Sequence, residues 1–246
     1  MKTVSLKTTR GFTLMESVIA IGIVAVLLTT FLAVFGPATQ SIQRALSAQE
    51  ADRLQSALEA ELQKLREGTD SSYNSAFEKA FDWIKDSGKV ETAVLLYNYR
   101  GNPNDIRSDG SLEPYTGEEG QSGRDFILQP AARRRGDANS DMEDDFDQVE
   151  GSIYYVRMTQ LIFDPQNGAL TPGEHGTIVN MHDEGDAATD IDDYPGGMIA
   201  FSADFYRLKS NNLEYIKNLD LTDGNGDGQP DKLGRPLFSR NLGVRR

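Results

Sequence analysis

From Ser17 to Gln43 the chain carries no charged side chain, and most of the run is Val, Ile, Leu, Ala and Phe. Residues 17–36 alone, wound as a helix, would span about 30 Å, the thickness of a bilayer hydrocarbon core. Lys2, Lys7 and Arg10 precede the run with no acid among them. That bias leaves the N-terminus in the cytoplasm and exports the remainder of the chain. A cleaved secretory signal would have a shorter apolar stretch, ~7–15 residues, closed by a small-residue site. This run is longer and continues into a helical pattern. A plain signal anchor fits the length, yet it leaves Glu16 unexplained. An acid at the mouth of an apolar run is expensive unless paired, so it reads as a functional residue.

The stretch RGFTLMESVIAIGIVAVLL resembles the N-terminal signal of type IV pilins and type II secretion pseudopilins. In that family a short basic leader ends in Gly, Phe follows, a Glu stands four residues after the Phe, and a long apolar helix comes next. Gly11, Phe12, Thr13, Leu14 and Glu16 match that order, and the resemblance covers about residues 7–35. It implies that a membrane-embedded prepilin peptidase cuts between Gly11 and Phe12 and N-methylates the new amine of Phe12. It also gives Glu16 a role as an assembly element. The ammonium on Phe12 of an incoming subunit would sit against Glu16 of a subunit already in the filament, so that two costly charges neutralise each other and set the axial register. The competing reading is an interfacial Glu whose side chain snorkels to the headgroups. The chain departs from the family near Ala33, where many pilins have Pro. Here Gly36-Pro37 comes slightly later, and a kink or local melting is expected over 33–37.

After Pro37 the helix is expected to resume. Ile42, Leu46, Leu54, Leu58, Leu62 and Leu65 recur mostly every three or four residues, with charges between them, and Gly68 suits a C-cap. The expected organisation is therefore a leader over 1–11, a membrane or filament-core helix over 12–36, its amphipathic continuation over 37–67, and an exported globular head over 68–246. A second helix is expected over 71–86, with Tyr73, Phe77, Ala80, Phe81 and Ile84 on one side. Beyond it, runs at 90–99, 125–129, 152–163, 177–181, 197–208 and 213–221 are rich in β-branched and aromatic residues, separated by Gly, Pro, Asn and Asp. They read as an antiparallel sheet of about four to seven strands, with long polar loops at 100–124 and 130–151. The expected fold class is α+β, a long N-terminal helix packed on an antiparallel sheet; the resemblance implies the same pilin-like plan.

In DGNGDGQPD, Asp223, Asn225, Asp227 and Asp231, with the carbonyl of Gln229, follow the spacing of a calcium loop, and Gly228 stands at the turn. Gly234 stands where an EF-hand has its bidentate Glu, so a shorter loop holding Ca²⁺ is one reading. A polar turn shaped by Asp and Gly is the other. Asp137, Asn139, Asp141 and Asp145 repeat the offsets, but Met142 replaces the Gly; that stretch reads as a solvated acidic loop. Arg133, Arg134 and Arg135 read as a local ion-pairing cluster.

The net charge of −13 argues against nucleic acid as the main partner. With no cysteine there is no disulfide and no thiolate chemistry. His175 and His182 stand in polar stretches without metalloprotease spacing, and neither a nucleophile elbow nor a phosphate loop occurs. No enzyme is expected. The expectation is a single-pass inner-membrane subunit with a periplasmic or extracellular head. Its partners would be other pilin or pseudopilin subunits and the prepilin peptidase, and its assembled state a filament. The alternative is a membrane-anchored minor subunit whose head binds a surface or a secreted substrate.

Overall fold

The computed structural model describes residues 13–68, 70–117, 119–137, 141–180, 186–224 and 230–246. The chain divides into two compact units, residues 1–46 and 47–246. Helix α1 is assigned over Leu14–Leu62 and so contributes to both.

In the first unit, the segment Leu14–Thr39 is long and apolar enough to cross a membrane, and none of it is buried within the chain. The helix is unbroken through Pro37, so the local melting expected over 33–37 does not occur. Local hydroxyls bond to backbone carbonyls on either side of that point. Thr39 Oγ1 donates to the Gly36 carbonyl at 2.9 Å, and Ser41 Oγ to the Pro37 carbonyl at 3.0 Å.

The second unit is α+β. After α1 come α2 (Ala76–Asp86), β1 (Val94–Ile106), β2 (Leu112–Pro114), β3 (Ile127–Arg134), α3 (Asp141–Phe146), β4 (Val149–Asp164), β5 (Ala169–Pro172), β6 (Ile178–Val179), β7 (Ala187–Ala188), β8 (Met198–Arg207), α4 (Leu213–Lys217) and β9 (Phe238–Arg245). Among the described residues, seven strands form one antiparallel sheet in the order β2-β1-β4-β8-β9, with β3 beside β1 and β5 beside β4. β6 and β7 pair separately.

Both faces of the central strands are covered, which is why β1 and β4 read as near-continuous apolar runs rather than as clean alternations. On one face Val94, Leu96, Tyr154, Val156, Met158, Phe201 and Phe205 pack with Leu54, Leu58 and Leu62 of α1 and with Phe77, Phe81, Trp83 and Ile84 of α2. On the other face Leu95, Tyr97, Tyr99, Ile153, Tyr155 and Tyr206 meet Ile216, Leu219 and Leu221. Of the expected leucine stripe, Leu54, Leu58 and Leu62 are buried, whereas Ile42, Leu46 and Leu65 are exposed.

Several expected boundaries shift. α1 ends at Leu62 rather than at 67, because Arg66 is used differently: its backbone N–H donates to Asp70 Oδ2 at 2.7 Å while its side chain turns in to Glu61. Gly68 therefore serves a turn, at φ 84°, and is not a helix cap. α2 starts five residues later than expected because Ser75 caps it, accepting from the Glu78 N–H at 3.1 Å, while Glu78 reaches back to the Asn74 N–H at 2.8 Å. Tyr73 lies before the helix and accepts a hydrogen bond from Arg134. Residues 213–217, expected as a strand, form α4: Asn212 caps it through the Glu214 N–H, and the guanidinium of Arg135 donates to the carbonyl of Ile216 at its other end. The last strand, β9, lies outside every expected run.

Candidate functional site

The site read from the sequence begins at the first turn of α1. The scissile bond expected between Gly11 and Phe12 lies outside the described residues. Its neighbours are described. Thr13 Oγ1 accepts from the Glu16 N–H at 3.2 Å, and Glu16 Oε2 accepts from the Thr13 N–H at 3.0 Å and from the Thr13 hydroxyl at 2.9 Å. This is a reciprocal capping box. Two of the four N–H groups that a helix start leaves without partners are satisfied by these two side chains. The carboxylate also stands at the positive end of the helix dipole. The sequence Thr-x-x-Glu thus gives Glu16 a local partner, which sequence reasoning missed although the spacing was legible. One fixed carboxylate results, ahead of a helical run that stays uncharged from Ser17 to Gln43.

Of the residues expected to hold calcium, Asn225, Asp227 and Gln229 lie outside the described residues. Asp231 Oδ2 accepts from the Gly224 N–H at 2.9 Å, and the Asp231 N–H donates to the Thr222 carbonyl at 3.0 Å, so this carboxylate closes the turn. Asp223 contributes a negative charge near His175. Beside them Asp220 pairs with Lys232 at 2.6 Å. Among the described residues no group of three or more His, Asp or Glu side chains could hold a metal ion.

The second acidic stretch is not the solvated loop that was expected. Residues 141–146 form α3, and Asp145 is fully buried. It accepts from Tyr97 Oη at 2.8 Å and from Arg107 Nη1 at 2.8 Å, and Arg133 lies at 3.5 Å. Burial still holds its pKa above the ordinary value against those cations. Asn139 lies outside the described residues. Burial also raises Asp137, to about 6, against the opposing charges of Arg134, at 3.8 Å, and Lys79.

Asp145 belongs to a buried ionic cluster that was not foreseen. Lys79 of α2, with no exposed surface, donates to Glu61 Oε1 at 2.6 Å and to Asp70 Oδ2 at 2.7 Å. Arg66 Nε donates to Glu61 at 2.7 Å, and another guanidinium nitrogen of Arg66 bonds Asp109. Arg133 bridges Asp109 and Asp145. Burial alone would raise the pKa of Glu61; the hydrogen bond from Arg66 and the charges of Lys79 and Arg66 outweigh it and lower the pKa. Asp109 is lowered against burial by the hydroxyl and N–H of Ser111 and by Arg66. Four cations and four anions (Arg66, Lys79, Arg107, Arg133; Glu61, Asp70, Asp109, Asp145) so tie the end of α1 to α2, β3, α3 and the β1–β2 hairpin. Two of the three clustered arginines are ion-paired, Arg133 within this network and Arg134 with Asp86 at 3.4 Å, whereas Arg135 donates to a backbone carbonyl at the end of α4.

His175 is half-buried, with Nδ1 3.1 Å from Thr159 Oγ1. Burial, and then the charge of Arg157, push its pKa down to about 4, so the ring is neutral at pH 7. His182 lies outside the described residues. Comparison of the chain with models of known protein families, with curated proteins and with solved structures finds no match.

Proposed function

We propose that the chain is a pilin-like subunit of a type IV pilus or type II secretion pseudopilus, with Glu16 as its assembly acid. One observation carries the reading. The carboxylate of Glu16 is fixed by Thr13 at the start of a charge-free apolar helix that the rest of the chain leaves bare. Such a helix needs apolar partners from outside the chain, either lipid or other copies of itself. A carboxylate at its head needs a cation when the helix leaves the headgroups. Cleavage between Gly11 and Phe12, as the resemblance implies, would create that cation one residue before Thr13. An incoming Phe12 ammonium would then meet a carboxylate already oriented by the cap.

Two substitutions separate pairing from capping. Glu16→Ala removes both the charge and the carboxylate's half of the capping box, while Thr13 Oγ1 still accepts from the N–H of residue 16. Glu16→Gln keeps a capping acceptor and removes only the charge. Both variants are expected to insert in the membrane and to be depleted at least tenfold from sheared filaments of the native host. Recovery of Glu16→Gln at the wild-type level would reduce Glu16 to a helix cap. Intact mass of the wild-type chain from the same preparation should start at N-methylated Phe12; a chain retaining Met1 would overturn the prepilin reading.

A further inference from the structure

The sheet has unequal edges. β3 pairs only with β1 among the described residues, and it contains Pro130, which offers no N–H. β5 is four residues long and ends in Pro172; β2 is three residues long and ends in Pro114. Short strands and prolines are how sheets blunt their edges against stray pairing. β9 has neither device. It is eight residues long, lacks proline, and pairs with β8 without a bulge from Met198↔Arg245 to Phe205↔Phe238. Phe238, Leu242 and Val244 anchor it to the core, while Ser239, Asn241, Gly243 and Arg245 are exposed. Among the described residues its other edge pairs with no strand, so backbone donors and acceptors face outward along a regular strand.

The charge at this edge runs against the rest of the molecule. The last twelve residues hold Arg235, Arg240, Arg245 and Arg246 and no acid, in a chain with 38 acidic residues against 25 basic ones. An edge of this kind disfavours its own copy: pairing two β9 strands would gather Arg240 and Arg245 of both copies with no acid on either strand, and like charges brought together across strands are destabilising. The other long edge, β3, is interrupted by Pro130, which offers no N–H, and is no better a partner. An extended segment bearing carboxylates is favoured on both counts, because main-chain bonds supply affinity and alternate side chains supply selectivity.

We infer that β9 is a docking strand for an extended, acidic segment of a different protein, added to the sheet by β-augmentation. The edge belongs to the head, and the inference stands whether or not the chain polymerises. The probe is a short fluorescent peptide of alternating glutamate and valine, titrated by anisotropy against the full chain in detergent. The Glu16→Ala chain is run in parallel and is expected to bind equally. Three comparisons accompany it: the same peptide with alternate amides N-methylated, a peptide with lysine for glutamate, and the Arg245→Glu variant, an exposed position that leaves the fold intact. The acidic peptide is expected to bind and to slow amide exchange across residues 238–245. N-methylation, lysine and Arg245→Glu should each weaken binding at least tenfold. Equal binding of the N-methylated peptide would mean simple charge attraction and overturn the inference. So would absence of binding by the acidic peptide, or protection of β9 that depends on protein concentration alone, which would assign the edge to a second copy.

Discussion

The apolar part of α1 and the head treat their apolar side chains in opposite ways. Along Leu14–Thr39 the large side chains are bare, with Ile21 at 69% and Phe31 at 58% exposure. In the head, Leu54, Leu58, Trp83, Tyr97, Phe201 and Phe205 are exposed by 1% or less. The head carries its own core, whereas the apolar helix needs one supplied from outside. Charge divides the same way. In the helix one acid is held at the first turn by a single threonine. In the head, buried acids are held by lysine and arginine from several elements. Substitutions at charged positions in the head should therefore register as stability, and at Glu16 as assembly.

The largest expected effect that would undo this contrast is at Lys79. Lys79→Met fits the volume but leaves Glu61 and Asp70 without their shared ammonium, and breaking a buried ion pair from one side costs about 3–5 kcal/mol. The head should melt far lower while the helix over Leu14–Thr39 is unaffected. An unchanged melting curve would show that Arg66 alone satisfies Glu61.

Calcium comes next. If the 223–231 loop binds Ca²⁺ only when folded, a hundredfold excess over Kd adds about 2.7 kcal/mol to the head and nothing to the helix. Thermal unfolding of the full chain in detergent, with calcium or chelator, reads this directly. The Asp223→Ala/Asp227→Ala double variant should abolish the shift; no shift in the wild type would leave the loop a turn, as the bond from Gly224 to Asp231 already makes it in part.

The smallest expected effect is at Asp137. Its folded pKa of about 6 lies above its ordinary 3.8. The folded state therefore holds the proton more tightly, and this contribution to stability is complete below about pH 3.8. It is lost as pH rises through about 6. Asp137→Asn should be more stable than the wild type at pH 7, with the gap closing below about pH 4. Glu61 and Asp109, whose pKa values are lowered, run the other way and lose their contribution as pH falls. Equal pH profiles for Asp137→Asn and the wild type would show that this carboxyl is not buried in solution.

Much of the head is legible in the sequence, for reasons local to the chain. Aromatic and β-branched runs mark β1, β4 and β8, because strands covered on both faces need apolar residues at every position. The stripe of Phe77, Ala80, Phe81 and Ile84 marks α2. The misses share a cause. FSRNLGVR has a weak apolar pattern because β9 is an edge strand with one exposed face, so its pairing with β8 rather than its composition makes it a strand. LEYIK has strand-like residues, but the Asn212 cap and the donor from Arg135, far away in sequence, make it a helix. Glu16 stands out by its position, whereas its bond to Thr13 is easily overlooked although only two residues lie between them.

Local pattern alone is enough to specify an apolar helix long enough for a bilayer, an acid at its head, basic residues before it and an α+β unit after it. These features rest on short-range periodicity and on the cost of charge in an apolar medium, which hold wherever the chain folds. Long-range packing was needed to make Asp145 and Lys79 interior and to add β9 to the sheet beside β8. Those outcomes depend on which distant groups meet: Arg133 lies 67 residues after Arg66, and both reach Asp109. A charge becomes structural only once its counter-charge is brought beside it and water is excluded.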